Sequence, residues 1–209
     1  MTIKEIQQKI LTDDAFVLEE TKKIQYLYGL KTEIRYAYTR QEDVHTESVA
    51  EHVYGMHILA NYFLPLEDST RVMDWKKIYE MITFHDIDEV ETGDMIGYLK
   101  TDAIRAEEAA AAMRVIERSP EVIKYNIKAA LEEYEDLKSS EALFVKAIDR
   151  CEPIFHLYNE DGKKIFARNK TSRGQSEGLK KPYVQNLPYL KRFFEVTGDA
   201  MEREGFYQV

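Results

Sequence analysis

The sequence predicts an all-α fold, a helical bundle forming a single domain over its 209 residues. Three observations carry this. Only 9 Gly and 5 Pro are present, too few for the many turns of an all-β chain. Apolar residues recur at three- and four-residue spacing along most of the length. No interior stretch is rich enough in Pro, Gly or Ser to read as a linker, and no repeat is found. A chain of this length buries roughly 70% of its unfolded surface, so it needs neither disulfide nor metal merely to fold.

The elements follow in order. Residues 3–30 carry Ile3, Ile6, Ile10, Phe16, Leu18, Ile24, Leu27 and Leu30, the spacing of one or two amphipathic helices. Ser48-Val49-Ala50-Glu51 is a capping box, so a helix over 48–63 is expected, with His52 in its first turn. A helix over about 71–88 places Ile78, Met81, Ile82 and His85 on one buried stripe, and the turn Thr92-Gly93-Asp94 follows. An Ala-rich helix spans about 102–118. Ser119-Pro120-Glu121 then supplies an N-cap, a proline and an acid for a helix to about Tyr134. Ser139 or Ser140 caps a helix to about Tyr158 with Phe144, Ala147, Ile148, Cys151, Ile154 and Phe155 inward. Within it, Pro153 deprives the Asp149 carbonyl of its helical partner, which predicts either a kink that aims Asp149 inward or a simple bend around the core. Residues 160–181 are polar, basic and poorly periodic and read as a long loop, with Lys or Arg at 163, 164, 168, 170, 173, 180 and 181. A last helix is expected from Pro182 to about 204.

Charge and composition narrow the function classes. Lys plus Arg total 29 against 38 Asp plus Glu, a net charge of −9. That balance opposes binding to DNA or RNA polymers, which rewards a basic surface, and opposes docking on an anionic membrane. No apolar run approaches the ~18 residues of a membrane span, and the first residues lack the apolar region of a signal peptide. One cysteine, Cys151, excludes an internal disulfide and fits a reducing compartment such as the cytoplasm.

Five histidines are candidates for chemistry. His57 and His156 fit hydrogen-bonded core positions, and His45 fits the surface. His85 differs because Asp86 follows it at the buried end of a helix, and a buried carboxylate requires a cation or several donors. At ~100° per residue, Glu89 lies about 40° from His85, between His85 and Asp86 in angle and ~6 Å further along the axis. Two neutral readings stay open for Asp86: a solvated acidic helix end, or an ion pair with arginine.

A wider pattern surrounds this pair. The blocks are Glu47-Ser48-Val49-Ala50-Glu51-His52, then His85-Asp86-Ile87-Asp88-Glu89-Val90-Glu91-Thr92-Gly93-Asp94, then Phe144-Val145-Lys146-Ala147-Ile148-Asp149-Arg150. In this order they resemble the HD-domain phosphohydrolase superfamily, and within it the 5′-deoxynucleotidase branch, over about residues 20–160. The resemblance implies an HD-type helical bundle in which His52, His85, Asp86 and Asp149 bind one divalent cation. Two imidazoles and two carboxylates suit Mn, Fe, Co, Ni or Zn without distinguishing among them. It also implies that Glu89 takes part in catalysis and that Asp94 lies near the scissile phosphate or its leaving oxygen. The stretch Leu30–Arg35 resembles a family segment whose arginine clamps the phosphate, which makes Arg35 the candidate, its planar fork being suited to two oxygens at once. The alternative is a surface or ion-paired arginine. Lys100 is a second substrate-binding candidate. The substrate implied is a nucleoside 5′-monophosphate. The alternatives are a nucleoside di- or triphosphate or another phosphate ester, held with help from the basic stretch 160–181, and a catalytically idle nucleotide sensor or scaffold. Members of the family are commonly homodimers. Three departures bear on base and sugar selectivity: Tyr36-Ala37-Tyr38 where the branch has a tryptophan, Asp88 where it has a small residue, and no proline at 95–98.

Overall fold

A computed structural model describes residues 1–36, 44, 46–95 and 97–208. Helices α1 (Ile3–Thr12) and α2 (Asp14–Leu27) are joined through Asp13, whose carboxylate accepts the Phe16 N–H at 3.0 Å. A 3₁₀ turn, Tyr28–Lys31, leads into an isolated antiparallel bridge between Ile34 and Ser48. The Arg35 N–H donates to the Glu47 carbonyl at 2.9 Å and the Val49 N–H to that of Glu33 at 3.0 Å, which fixes Arg35 beside the start of α3 (Val49–Glu67). The predicted capping box is present: Glu51 N–H donates to Ser48 Oγ at 3.2 Å, and Ser48 N–H to Glu51 Oε2 at 2.7 Å.

The next helix is shorter than its periodicity predicts. α4 covers Trp75–Phe84 rather than 71–88. Its start is delayed because Asp68 ties down the preceding turn, accepting the Val72 and Met73 N–H groups at 2.8 and 3.1 Å, while Asp74 caps the helix. Its end comes at His85, where the chain tightens into i→i+3 bonds, Ile87 N–H to Phe84 O and Glu89 N–H to Asp86 O, both 3.1 Å. A one-turn helix α5 (Glu89–Thr92) follows and ends on Gly93 at φ 71°, a conformation that glycine adopts without steric cost. The angular relation of Glu89 to His85 along one continuous helix therefore does not apply.

A 3₁₀ turn, Gly97–Leu99, precedes three long helices: α6 (Asp102–Arg118), α7 (Glu121–Asp136) and α8 (Ser140–His156). Ser139 caps α8 as read from sequence, and α8 runs unbroken through Pro153. Ser119, however, does not cap α7: it closes α6, its hydroxyl donating back to the Val115 carbonyl at 2.7 Å, and Pro120 takes the N-cap position. The stretch 160–181 is not a loop. It forms α9 (Glu160–Asn169) and α10 (Arg173–Gly178) and then enters α11 (Lys181–Val184). Asn159 caps α9 through the Gly162 N–H at 2.9 Å, Ser172 and Gln175 form a capping box on α10, and Ile165 and Phe166 supply the buried side. The last long helix, α12 (Pro188–Arg203), starts at Pro188 instead of Pro182.

The larger apolar cluster lies among α3, α4 and α8, around Met56, Phe63, Ile78, Ile82, Phe144 and Ile148, and is extended by Ile165, Leu190 and Met201. A smaller one joins Leu30, Val49, Ile87, Val115, Ile116 and Ile127, and Phe84 packs against both. His52, His85 and Asp149 stand where α3, α4 and α8 converge.

Candidate metal centre

His52 and His85 are 0% and 4% exposed, and their ring centroids are 5.7 Å apart. Each is oriented by its other ring nitrogen. His85 Nδ1 lies 3.0 Å from the Ile82 carbonyl, and His52 Nδ1 lies 2.8 Å from Glu152 Oε2. A carbonyl or carboxylate there accepts Nδ1–H, so both Nε2 atoms carry the free lone pair. Both Nε2 atoms are buried and have no hydrogen-bond partner. They face two carboxylates. His85 Nε2 is 3.1 Å from Asp86 Oδ2 and 4.0 Å from Asp149 Oδ1, and His52 Nε2 is 3.9 and 3.6 Å from the same atoms. Donor atoms of His52, His85 and Asp86 lie within 4.8 Å of one another, and Asp149 joins them through both imidazoles. The Tyr134 hydroxyl donates to the other Asp149 oxygen at 2.7 Å. An N₂O₂ set with orphaned imidazole nitrogens fits a divalent transition metal.

The electrostatics point the same way. Burial and Arg35 oppose a charge on His52, yet until a cation joins the donors Asp149 and Glu152 hold its imidazole up at about 9. That draws a proton to the nitrogen whose lone pair a metal would otherwise take. Burial would raise Asp86, but the two histidines keep it below the ordinary carboxylate range. Asp149 is likewise held well down against burial, by Arg150 and then His52. Positive charge is what these donors require.

Glu89 occupies the opposite regime. It is 5% exposed, its Oε2 has no hydrogen-bond partner, and burial with Asp86 and Asp94 nearby raises it well above the usual range. Asp94 is half-buried and accepts the Tyr36 N–H at 3.0 Å, which ties the Gly93 turn to the segment carrying Arg35. Arg35 is buried, not a surface residue. Its Nε is 3.2 Å from Glu47 Oε1 and its Nη1 is 3.8 Å from Asp86 Oδ2. Lys100 pairs with Glu108 of α6 at 2.7 Å. Arg35, Glu89, Asp94, Lys100, His85, Asp86 and Asp149 all border one cavity of about 510 Å³. Asp88 lines it too, pushed up to about 7 by burial and then by Asp86.

The remaining histidines stand apart from these donors. His57 is half-buried, 3.3 Å from Thr83 Oγ1 and stacked on Tyr79, while His156 Nδ1 lies 3.5 Å from Glu47 Oε2. Neither is a core residue. His45, Ala37 and Tyr38 fall outside the described residues, as does Ile96.

Sequence reasoning missed Glu152 and Tyr134 as partners of the site. Glu152 was legible, because it follows Asp149 by three residues on α8 and so shares its face. Gly55, three residues after His52 on α3, makes room for it: a Cβ there would stand 2.7 Å from Glu152 Oε1.

Residues 27–191 match the family model of the HD domain. The chain belongs to the HD-domain family. The human (Homo sapiens) 5′-deoxynucleotidase HDDC2 is 32% identical to it over 111 residues, 52% of each chain. That of Dictyostelium discoideum is 31% identical over 130 residues, 59% of this chain and 68% of that one. The chain thus spans about half the length of the human relative that it matches. A predicted metal-dependent phosphohydrolase from Magnetospirillum magnetotacticum shares the fold at TM-score 0.76 and 21% identity, over 92% of this chain and 98% of that one. An HD-domain phosphohydrolase from Listeria innocua superposes at TM-score 0.57 and 18% identity, over 88% and 85%.

Proposed function

We propose that this chain is a metal-dependent phosphohydrolase that releases phosphate from (deoxy)nucleoside 5′-monophosphates. One observation carries the reading: two buried imidazole Nε2 atoms without partners face two carboxylates beside a cavity that Arg35 and Glu89 border. The partial likeness to 5′-deoxynucleotidases supports the nucleotide as substrate.

His52, His85, Asp86 and Asp149 would hold the cation, which is Mn, Fe, Co, Ni or Zn. When bound, it supplies charge that polarises a phosphoryl oxygen and lowers the pKa of a nearby water. Arg35 presents its guanidinium fork to the phosphate, and its pairing with Glu47 keeps that fork at the cavity wall. The Glu89 carboxylate takes a proton from the attacking water as the new P–O bond forms. Burial, with Asp86 and Asp94 nearby, strengthens its hold on a proton once taken, and a cation bound beside it would favour the ionised form that starts the reaction. The bond to the nucleoside oxygen then breaks, and that oxygen takes up a proton from solvent on the side where Asp94 stands. Lys100, already paired with Glu108, contributes charge at the rim.

The test is phosphate release from a panel of nucleoside monophosphates, with each metal in turn and with chelator. Turnover that chelation abolishes and metal restores supports the reading. Absence of release under every metal overturns it.

The same reading places the chain in the cytoplasm as one domain, with Cys151 buried and unpaired and Phe84 joining its two apolar clusters. It also makes the chain a homodimer. The support is an exposed stripe on α3 at four-residue spacing, Tyr54, Ile58 and Tyr62, with Tyr62 touching Phe193 of α12. Solution mass by light scattering, compared with Ile58→Glu, tests this pairing.

A further inference from the structure

The cavity continues beyond the metal centre. From Arg35 and Glu89 it passes Asp149 and Arg150 and reaches Ser176, Leu179 and Lys180, over a volume of about 510 Å³. Sites of ~300–1,000 Å³ hold whole small molecules, so the space is shaped for more than a phosphate.

Most basic side chains on its walls already have an acid. Arg35 has Glu47, Lys100 has Glu108, Lys128 has Glu132 at 3.7 Å, and Lys146 lies 3.7 Å from Asp149. Lys180 differs. It is 7% exposed, and its Nζ donates to the Ser176 carbonyl and to Ser176 Oγ, both at 3.0 Å. Among the described residues no carboxylate lies within 4 Å of it. An ammonium has three N–H donors, so one remains after Ser176. Burying such a charge without a counterion is costly, and burial holds its pKa down at about 8. Arg150 is its neighbour on the same wall. Arg150 Nε is 3.7 Å from Asp149 Oδ2, while Nη1 lies along Gly97, where a Cβ would be 3.1 Å away. No hydrogen bond engages the two outer nitrogens of that fork among the described residues. In a chain of net charge −9, this corner has surplus positive charge and spare donors.

We infer that Arg150 and Lys180 form a second anion subsite, and that the pocket takes a phosphate ester bearing another negative group, phosphate or carboxylate, at its far end. This rests on the proposed function and narrows its substrate. The ester is still cleaved at the metal ligands, and phosphate esters carrying a second anion are taken in preference to simple nucleoside monophosphates. The ester to be cleaved sits at Arg35 and the metal ligands, and the remote anion supplies the counterion that Lys180 lacks. A monophosphate with a neutral far end leaves that buried charge unmatched.

The test uses two matched pairs on the metal-loaded full chain. One is deoxyadenosine 5′-monophosphate against its 3′,5′-bisphosphate, and the other is glycerol 3-phosphate against 3-phosphoglycerate. Affinity is read by calorimetry and phosphate release is followed separately. In at least one pair the doubly charged member should bind about tenfold more tightly, the scale of a hydrogen bond to a charged group. That ratio should fall to about twofold or less in Lys180→Gln, whose amide can still donate to Ser176. The pair that shows the preference identifies the remote group as phosphate or carboxylate. Arg150→Gln, on a more exposed wall, carries the same test if Lys180→Gln does not fold. The inference is overturned if neither pair shows a preference, or if the preference survives both substitutions. A preference that is present and charge-dependent, without phosphate release from any of the four, overturns the proposed activity and leaves the subsite standing.

Discussion

Helix α8 contains two opposed environments less than two turns apart. Its first half buries Phe144, Val145, Ala147 and Ile148 at 0–1% exposure in the larger apolar cluster. Its second half carries Asp149, Arg150 and Glu152 into a cluster of charges where the imidazoles they serve keep bare nitrogens. Packing in the first half lowers the free energy of the folded chain. The second half opposes it, since carboxylates are drawn together and buried polar atoms lose water without gaining partners. The bundle tolerates that cost because its core lies directly beneath. A cation among the donors would offset much of it, so the two halves should respond to substitution in opposite ways.

The largest effect should come from breaking this contrast at both ends. Phe144→Ala should destabilise the chain by about 3–5 kcal/mol, the usual cost of a phenylalanine-sized core deletion, with metal stoichiometry unchanged in the protein that remains folded. His85→Ala should lose most bound metal and nearly all turnover, while its melting temperature without metal stays within a few degrees of the parent. Elemental analysis and calorimetry on the same preparations decide. Full metal occupancy in His85→Ala would remove that residue from the ligand set.

Glu89→Gln should separate binding from chemistry. The amide keeps size and hydrogen-bonding reach but accepts no proton, and loss of a general base typically costs ~10²–10⁴-fold in turnover. Metal content should stay near the parent level, and nucleotide affinity should hold or improve because one acid near an anionic substrate is gone. If the variant loses its metal, Glu89 is a ligand. If it keeps metal and full turnover, Asp94 becomes the residue to test for water activation.

A smaller effect should follow from Gly55→Ala. Alanine favours the helix over glycine by ~1 kcal/mol, so α3 itself gains. The new Cβ, however, would meet Glu152 Oε1 at 2.7 Å, and the carboxylate is the part free to move. As it shifts, His52 loses the acceptor that fixes its tautomer. Metal affinity should therefore fall by 10–100-fold, the usual range for loss of such a partner, while thermal stability holds or rises. Chelator competition measures it, and parental affinity would show that Glu152 does not orient His52.

How much of this was legible in the sequence follows from where the signals are local. Caps at Ser48 and Ser139 are short-range hydrogen-bonding patterns, and the structure places them where the residues indicate, whereas Ser119 closes the helix before it instead of opening the next. The end of α4 at His85 was not legible, because the stripe Ile78, Met81, Ile82 and His85 fits a helix that runs on, while the backbone tightens after Phe84. Helices α9 and α10 were hidden by their charge: two buried side chains, Ile165 and Phe166, are too few for a visible stripe, although Asn159 and Ser172 were there as caps. Glu152 was readable from its spacing. Lys180 was not, since nothing in its neighbours along the chain shows that it is buried against Ser176 with no acid in reach.

The last effect concerns that lysine and is a matter of pH. Lys180 has its pKa lowered from 10.5 to about 8 by burial, with Arg150 adding to the shift, so the folded chain binds this proton less readily than the unfolded chain does. Such a group contributes stability that is fully present above the unfolded value, near pH 10.5, and is lost as pH falls through about 8. Near pH 7 the buried charge therefore weighs against folding, partly offset by its two bonds to Ser176. In Lys180→Gln the term disappears. The stability difference between variant and parent, followed by urea unfolding without ligand, should favour the variant most near pH 7 and shrink steadily toward pH 10. Groups remote from Lys180 titrate alike in both proteins and cancel in the difference, while Cys151, Arg150 and Asp149 face the lysine and share in it. A difference that does not vary across this range would mean that the ammonium already has a counterion, and the subsite would lose its reason to attract an anion.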